Sequence, residues 1–233
     1  MNFARRLLGT FFYPGRTFRA IADRPLWVAA LILVLILISL YSYLTFPFGQ
    51  KDRLRSVEAN AAKLTEKWGQ TGYATEVERI KSHSRSLSAF LVIPLTSLFG
   101  LLFAALIVLG MGRLVSTEGN YLQVFSSLLH ASLVDKLLGN GLRLYLILSQ
   151  KSVSEISTGL AVFFPKLDVM SVPSALLGQV DPFQIWMYGL FALGLAAAFK
   201  INLKKGLVIS FVFWFFKSLL AVALFIIRTR PYL

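Results

Sequence analysis

Residues Leu26–Phe46 read LWVAALILVLILISLYSYLTF, a run of 21 residues without one charged side chain. A stretch of about 20 apolar residues is what crosses roughly 30 Å of hydrocarbon as a helix. No soluble domain needs it. Four more candidate spans follow: Leu87–Met111, the impure stretch Tyr121–Leu148, the short Phe183–Phe199, and Gly206–Ile227. Backbone in lipid must satisfy its own hydrogen bonds, so these runs are expected to be helices. The alternating ten-residue segments of a transmembrane β-barrel do not occur. Composition agrees: 56% of the 233 residues are hydrophobic and 15% are charged, against about 25% charged in an ordinary soluble domain. The expected fold is all-α, a polytopic bundle of five transmembrane helices. An N-terminal amphipathic segment (1–25) and a helical extramembrane first loop (47–86) complete it, with a short outer tail at 228–233.

The net charge of +13 would point to nucleic acid in a soluble protein. In a membrane protein it is first a topology signal. Nine Lys/Arg (Arg5, Arg6, Arg16, Arg19, Arg24, Arg113, Lys200, Lys204, Lys205) fall on one set of short flanks, and four (Lys151, Lys166, Arg228, Arg230) on the other. The N-terminus is therefore expected to be cytoplasmic, in a bacterial inner membrane. The loop Gln50–Ser86 runs against this rule with eight basic and five acidic residues. Nucleic acid is not an expected partner. Anionic lipid headgroups are, together with other membrane proteins or a second copy of the chain.

Two extramembrane segments have a helical pattern. In the leader, Phe3, Leu7, Leu8, Phe11 and Phe12 recur at helical spacing, with Arg5 and Arg6 on the other side. Such a segment suits an anionic headgroup layer, so Arg5, Arg6, Arg16, Arg19, Arg24 and the interfacial Trp27 are candidate headgroup contacts. A plain topogenic flank explains the same residues. In the first loop, Leu54, Val57, Ala61, Leu64 and Trp68 form one apolar stripe that Gly69-Gln70-Thr71-Gly72 is expected to stop, with a second helix over Tyr73–Ser86. Either a hairpin on the membrane surface or a docking surface for a partner fits that stripe.

Leader and spans together carry a resemblance. Pro14, Thr17, Phe18, Ile21, Pro25 and Trp27 match the opening of the bacterial YIP-domain family, the Ypt/Rab-interacting-protein-like integral membrane proteins. Asn120–Phe125 is similar to the family's approach to its third span. Asp181-Pro182-Phe183-Gln184-Ile185-Trp186, then Leu190–Gly194 and Lys205-Gly206, resembles its last two spans. The resemblance implies a five-helix bundle with a cytosolic N-terminus. Eukaryotic members act in vesicle trafficking beside small GTPases. The chain departs from the family in its third span, where His130–Lys136 replaces proline and small apolar residues.

Charges at membrane depth are rare and mark candidate sites. Asp135 and Lys217 are expected to pair across the bundle. Lys136 lies about 100° round the helix from Asp135 and is expected to snorkel to an interface, or Arg143 does so instead. His130 is expected to be a packed, hydrogen-bonded group. Gly139-Asn140-Gly141 reads as an interfacial turn in preference to an intramembrane break. Ala192/Ala196 and Gly194/Ala198 are small-xxx-small pairs that allow close helix packing. No cysteine is present, the two histidines (His83, His130) lack a metal spacing, and no P-loop, nucleophile elbow or dinucleotide fingerprint occurs. No cofactor is expected. The leading expectation is a non-enzymatic accessory or organising membrane protein. The alternative is a small transporter or lipid-translocating protein using Asp135 and Lys217.

Overall fold

A computed structural model describes residues 1–82, 87–169 and 171–229, without the side chains of 87–91 and of residue 228. His83 and Arg230 lie outside the described residues. The order is α1 (Phe3–Phe12), α2 (Pro14–Asp23), α3 (Val28–Ala59), α4 (Ala61–Ser82), α5 (Leu87–Arg113), α6 (Tyr121–Leu133), a π turn (Val134–Gly139), α7 (Asn140–Gln150), a short 3₁₀ turn (Leu160–Phe163), α8 (Val172–Gln179), α9 (Pro182–Ala198) and α10 (Leu203–Thr229). The described residues contain no strand. Three stretches, Val28–Ala59, Val92–Arg113 and Leu203–Ile227, are long and apolar enough to cross a membrane, and Pro182–Ala198 is a shorter apolar helix.

The third expected span is composite. The chain stays helical from α6 through the π turn into α7, so Gly139-Asn140-Gly141 is neither a turn nor a break. The wider π turn absorbs the glycine and keeps the backbone hydrogen-bonded. α9 is short because Asp181 caps its first turn and Pro182 sits at the first helical position, fixing the start.

α3 has 32 residues and runs through Pro47. At 1.5 Å per residue it is about 48 Å long, well beyond the hydrocarbon thickness. The expected first span and the first third of its loop are thus one helix. The expected stripe is divided between two helices, Leu54 and Val57 on α3 and Ala61, Leu64 and Trp68 on α4, and its residues are buried together: Val57, Leu64 and Ile80, with Leu54, Trp68, Tyr73 and Val77 against them. The cover comes from α4 itself. The chain bends at Gly69 (φ 72°, ψ 167°), a left-handed conformation open to glycine, and helix resumes at once instead of stopping over four residues. Gln50 Nε2 donates to the Ile80 carbonyl at 2.6 Å, and Arg53 meets Glu76 at 3.0 Å.

Asp52 clamps this stalk to the segment after α7. Its Oδ2 accepts from the Val153 N–H (2.6 Å), the Ser154 N–H (2.9 Å) and the Ser152 hydroxyl (3.0 Å). Partial desolvation opposes ionisation, yet the hydrogen bonds together win and hold the carboxyl below its ordinary value. A depressed carboxylate stabilises the fold above its unfolded pKa, and the contribution fades as pH falls through the folded value. Stability is therefore expected to drop below about pH 4, and Asp52→Asn to flatten part of that drop in unfolding curves taken at successive pH values.

The main core gathers α2, α3, α5, α6, α9 and α10. Small residues set the spacings. A Cβ on Gly206 would stand 2.6 Å from the Ala192 carbonyl oxygen and 3.3 Å from Ala196 Cβ, so this pair seats α10 on α9. A Cβ on Gly194 would stand 2.5 Å from Ser127 Cβ and 3.0 Å from Phe18, so the other pair seats α9 on α6 and α2. Because backbone lies opposite, Gly206→Ala is expected to destabilise by about 1–3 kcal/mol, read as a lower unfolding temperature in detergent.

The leader is part of this core. Thr17, Phe18, Ile21 and Ala22 are buried, and Gln123 Nε2 donates to the Ala22 carbonyl at 2.7 Å. Arg6 is not a headgroup contact, as its charge and spacing suggested. It is 1% exposed, and it donates from Nη1 to the Arg24 carbonyl (2.6 Å) and from Nε to the Met1 carbonyl (3.2 Å). Those two acceptors make burial tolerable for a guanidinium. Trp27 is half-buried and packs on Phe125 with ring centroids 5.9 Å apart. Arg5, Arg16, Arg19 and Arg24 remain exposed beside Leu8, Phe12 and Tyr13.

Candidate functional site

The ionisable residues of the third helix meet the start of α9 in one buried cluster. The π turn carries Asp135 (5% exposed), α7 carries Arg143, and the N-cap of α9 is Asp181 (3% exposed). Arg143 sits between the two carboxylates. Nη1 donates to Asp135 Oδ1 and to Asn140 Oδ1, each at 2.9 Å. Nη2 donates to Asp181 Oδ2 and Nε to Thr158 Oγ1, also at 2.9 Å. Four of the five guanidinium N–H donors thereby have protein acceptors. The Thr158 hydroxyl donates to Asp181 Oδ2. Asp181 Oδ1 accepts the free N–H groups of Phe183 (2.8 Å) and Gln184 (3.2 Å). One aspartate is both helix cap and ion-pair partner.

The expected Asp135–Lys217 pair is not formed. Asp135 is bound by Arg143 and, on Oδ2, by Lys136 at 2.7 Å. Lys217 Nζ donates instead to Gln184 Oε1 at 2.9 Å. Two physical reasons account for this. Lysine's four-carbon stem lets Lys136 curl back to its neighbour despite the angular offset. Arginine's planar fork engages several acceptors at once and outcompetes a single ammonium. Neither Lys136 nor Arg143 snorkels away from the cluster.

His130 is buried on α6. Its Nδ1 lies 2.8 Å from the Ser126 carbonyl oxygen, and its ring meets Phe3 edge-on with centroids 6.3 Å apart. It does not join the charged cluster. Among the described residues no group of three His, Asp or Glu side chains gathers to hold a metal. Asp181, Thr158, Asn140 and Gln184 were missed by sequence reasoning. Asp181 alone left a trace: an Asp-Pro step before an apolar run signals a capped helix start.

A cavity of about 430 Å³ lies beside the cluster, between residues 151–180 and α10, with Arg143, Asp181 and Gln184 in its lining. A second, of about 390 Å³, lies at the other end of α9, where the 117–120 turn and Lys200 meet the end of α2.

Long apolar helices packed round a buried charged cluster define an α-helical integral membrane protein. The comparison with curated proteins and the comparison with solved structures return no match. The Yip1 domain family model matches residues 8–225, so the chain belongs to the Yip1-domain family.

Proposed function

We propose that this Yip1-domain protein crosses a bacterial inner membrane five times, with its N-terminus in the cytoplasm. There it organises lipids or a membrane protein complex and performs no chemistry of its own. The observation that carries this reading is the leader. Its apolar face is docked in the bundle, while Arg5, Arg16, Arg19 and Arg24 stand outward next to exposed Leu8, Phe12 and Tyr13. Exposed cations on a docked helix pair that also exposes apolar side chains suit an anionic headgroup layer. The transport alternative loses its main support, because the Asp135–Lys217 pair on which it rested is not made.

Each exposed cation near an anionic surface contributes about 1 kcal/mol of attraction. An Arg5→Gln, Arg16→Gln, Arg19→Gln triple variant is therefore expected to co-purify with several-fold less phosphatidylglycerol relative to phosphatidylcholine, at unchanged unfolding temperature. Unchanged lipid enrichment would remove the reading. Orientation is checked separately. The chain has no cysteine, so single sites can be labelled without background. Lys51→Cys on the stalk is expected to react with an impermeant maleimide from outside, and Lys204→Cys only after the membrane is opened. The opposite pattern would invert the topology.

A further inference from the structure

We propose that the cavity under residues 151–180 is a binding site for a phosphate group, brought either by a phospholipid or as free inorganic phosphate. The site stands apart from the leader's arginines and does not depend on their role.

Charge is the first argument. The cluster holds three cations, Lys136, Arg143 and Lys217, and two carboxylates, Asp135 and Asp181. Both carboxylates are already engaged by Arg143, and Asp135 by Lys136 as well. Lys217 is left over. Among the described residues it meets no carboxylate, and its ammonium rests on the neutral Gln184 side chain. An uncompensated ammonium inside an apolar bundle is costly, and a bound anion nearby relieves that cost.

Position is the second. Gln184, the acceptor for Lys217, is itself in the cavity wall. So are Ala221 and Phe225, one and two turns beyond Lys217 on the same face of α10. The surplus charge is therefore directly behind the wall, one hydrogen bond from Gln184. Its volume of about 430 Å³ falls within the roughly 300–1,000 Å³ of small-ligand sites.

The remaining lining selects the chemistry. Ser157 and Ser174 are in the lining. Ser157 Oγ accepts from the Gly159 N–H at 3.1 Å and keeps its own proton for donation. Arg143 has one N–H donor left after its four bonds. Donors facing a positive surplus fit a multiply accepting oxyanion. They do not fit a cation, since both carboxylates already carry one. The α9 N-terminus cannot be the anion site, because Asp181 occupies its first N–H groups. The apolar wall of Ala221 and Phe225 leads along α10 to exposed Leu220 and Leu224, a path suited to an acyl chain.

The test uses the full chain purified in a neutral detergent, with unfolding followed by intrinsic tryptophan fluorescence. The probes are inorganic phosphate, dihexanoyl-phosphatidylglycerol below its micellar concentration, and chloride at matched ionic strength. Binding to the folded state raises the unfolding temperature, by roughly 5–10 °C at about a hundredfold excess over Kd. A rise with the lipid well beyond that with phosphate assigns a phospholipid. Equal rises assign free phosphate. No rise with either, or an equal rise with chloride, overturns the site. Lys217→Gln is expected to abolish the response and leave the probe-free unfolding temperature unchanged or higher. Ala221→Phe fills the cavity and keeps every charge, and it too is expected to abolish the response. A response retained in Ala221→Phe overturns the proposal even if Lys217→Gln does not fold.

Discussion

Replacing Arg143 by alanine is expected to destabilise the protein by about 3–5 kcal/mol, the cost of breaking a buried ion pair from one side. The size follows from what is left behind. Asp135 and Asp181, both almost fully buried, lose their shared partner, and Thr158 and Asn140 lose a donor. Lys136 still reaches Asp135 at 2.7 Å, but Asp181 keeps only the Thr158 hydroxyl and its two backbone donors. For a chain of this length the loss corresponds to a fall of roughly 6–20 °C in unfolding temperature. Arg143→Lys is expected to fall between, because one ammonium cannot span both carboxylates. An Arg143→Met, Asp135→Asn, Asp181→Asn triple variant is expected to recover most of the loss, since a buried ionic network replaced as a whole leaves no orphan charge. Asparagine still caps α9. A loss below about 1 kcal/mol in Arg143→Ala would mean that the carboxylates find another cation. Lys217 would then be the partner after all.

That last outcome marks the border of what the sequence discloses. Long uncharged runs are read directly, because the hydrocarbon thickness imposes a length and lipid imposes a helix. The small pairs on α9 are equally legible, since such a one-dimensional periodicity translates into one face of a helix, whereas the stripe from Leu54 to Trp68 is divided at Asn60 between α3 and α4. The cluster is different. In a regular helix Arg143 would stand two turns from Asp135 and about 80° round the axis, a poor partner on paper. The π turn between them changes that geometry, and nothing in VDKLLG announces it. Thr158 and Asp181 come from other segments, 15 and 38 residues further on, so their convergence on one guanidinium is a tertiary fact. The position of Lys217 midway along an apolar run does not say which helix it faces. Arg6 shows the same gap from the opposite side. Its charge counted toward a headgroup surface, while two backbone carbonyls, those of Met1 and Arg24, draw it inside. Backbone acceptors have no sequence signature.

Phe18→Ala is expected to undock the leader. The ring is fully buried where α2 crosses α6 and α9, close enough to Gly194 that a Cβ there would lie 3.0 Å from it. Truncating a buried phenylalanine costs about 3–5 kcal/mol where the surroundings cannot collapse. Here the walls are α6 and α9, held in place by the rest of the bundle. α1 and α2 are joined to α3 only through the short segment Arg24–Trp27, which lets them swing away from these walls. The loss is therefore expected as local opening rather than as a lower global unfolding temperature. A cysteine introduced at the buried Thr17 reports that opening. Its reaction with a maleimide is expected to be slow in the parent background and about a hundredfold or more faster with Phe18→Ala, since each 1.4 kcal/mol is a factor of ten in the opening equilibrium. The same variant separates charge from mounting in the proposed lipid role. It keeps Arg5, Arg16, Arg19 and Arg24 but frees the helix pair that carries them from the bundle. If enrichment of phosphatidylglycerol falls with Phe18→Ala as it does in the arginine triple variant, the docked geometry selects the lipid. If enrichment stays at the parent level while Thr17 opens, net charge near the surface is enough, and the packing of α2 serves the bundle alone.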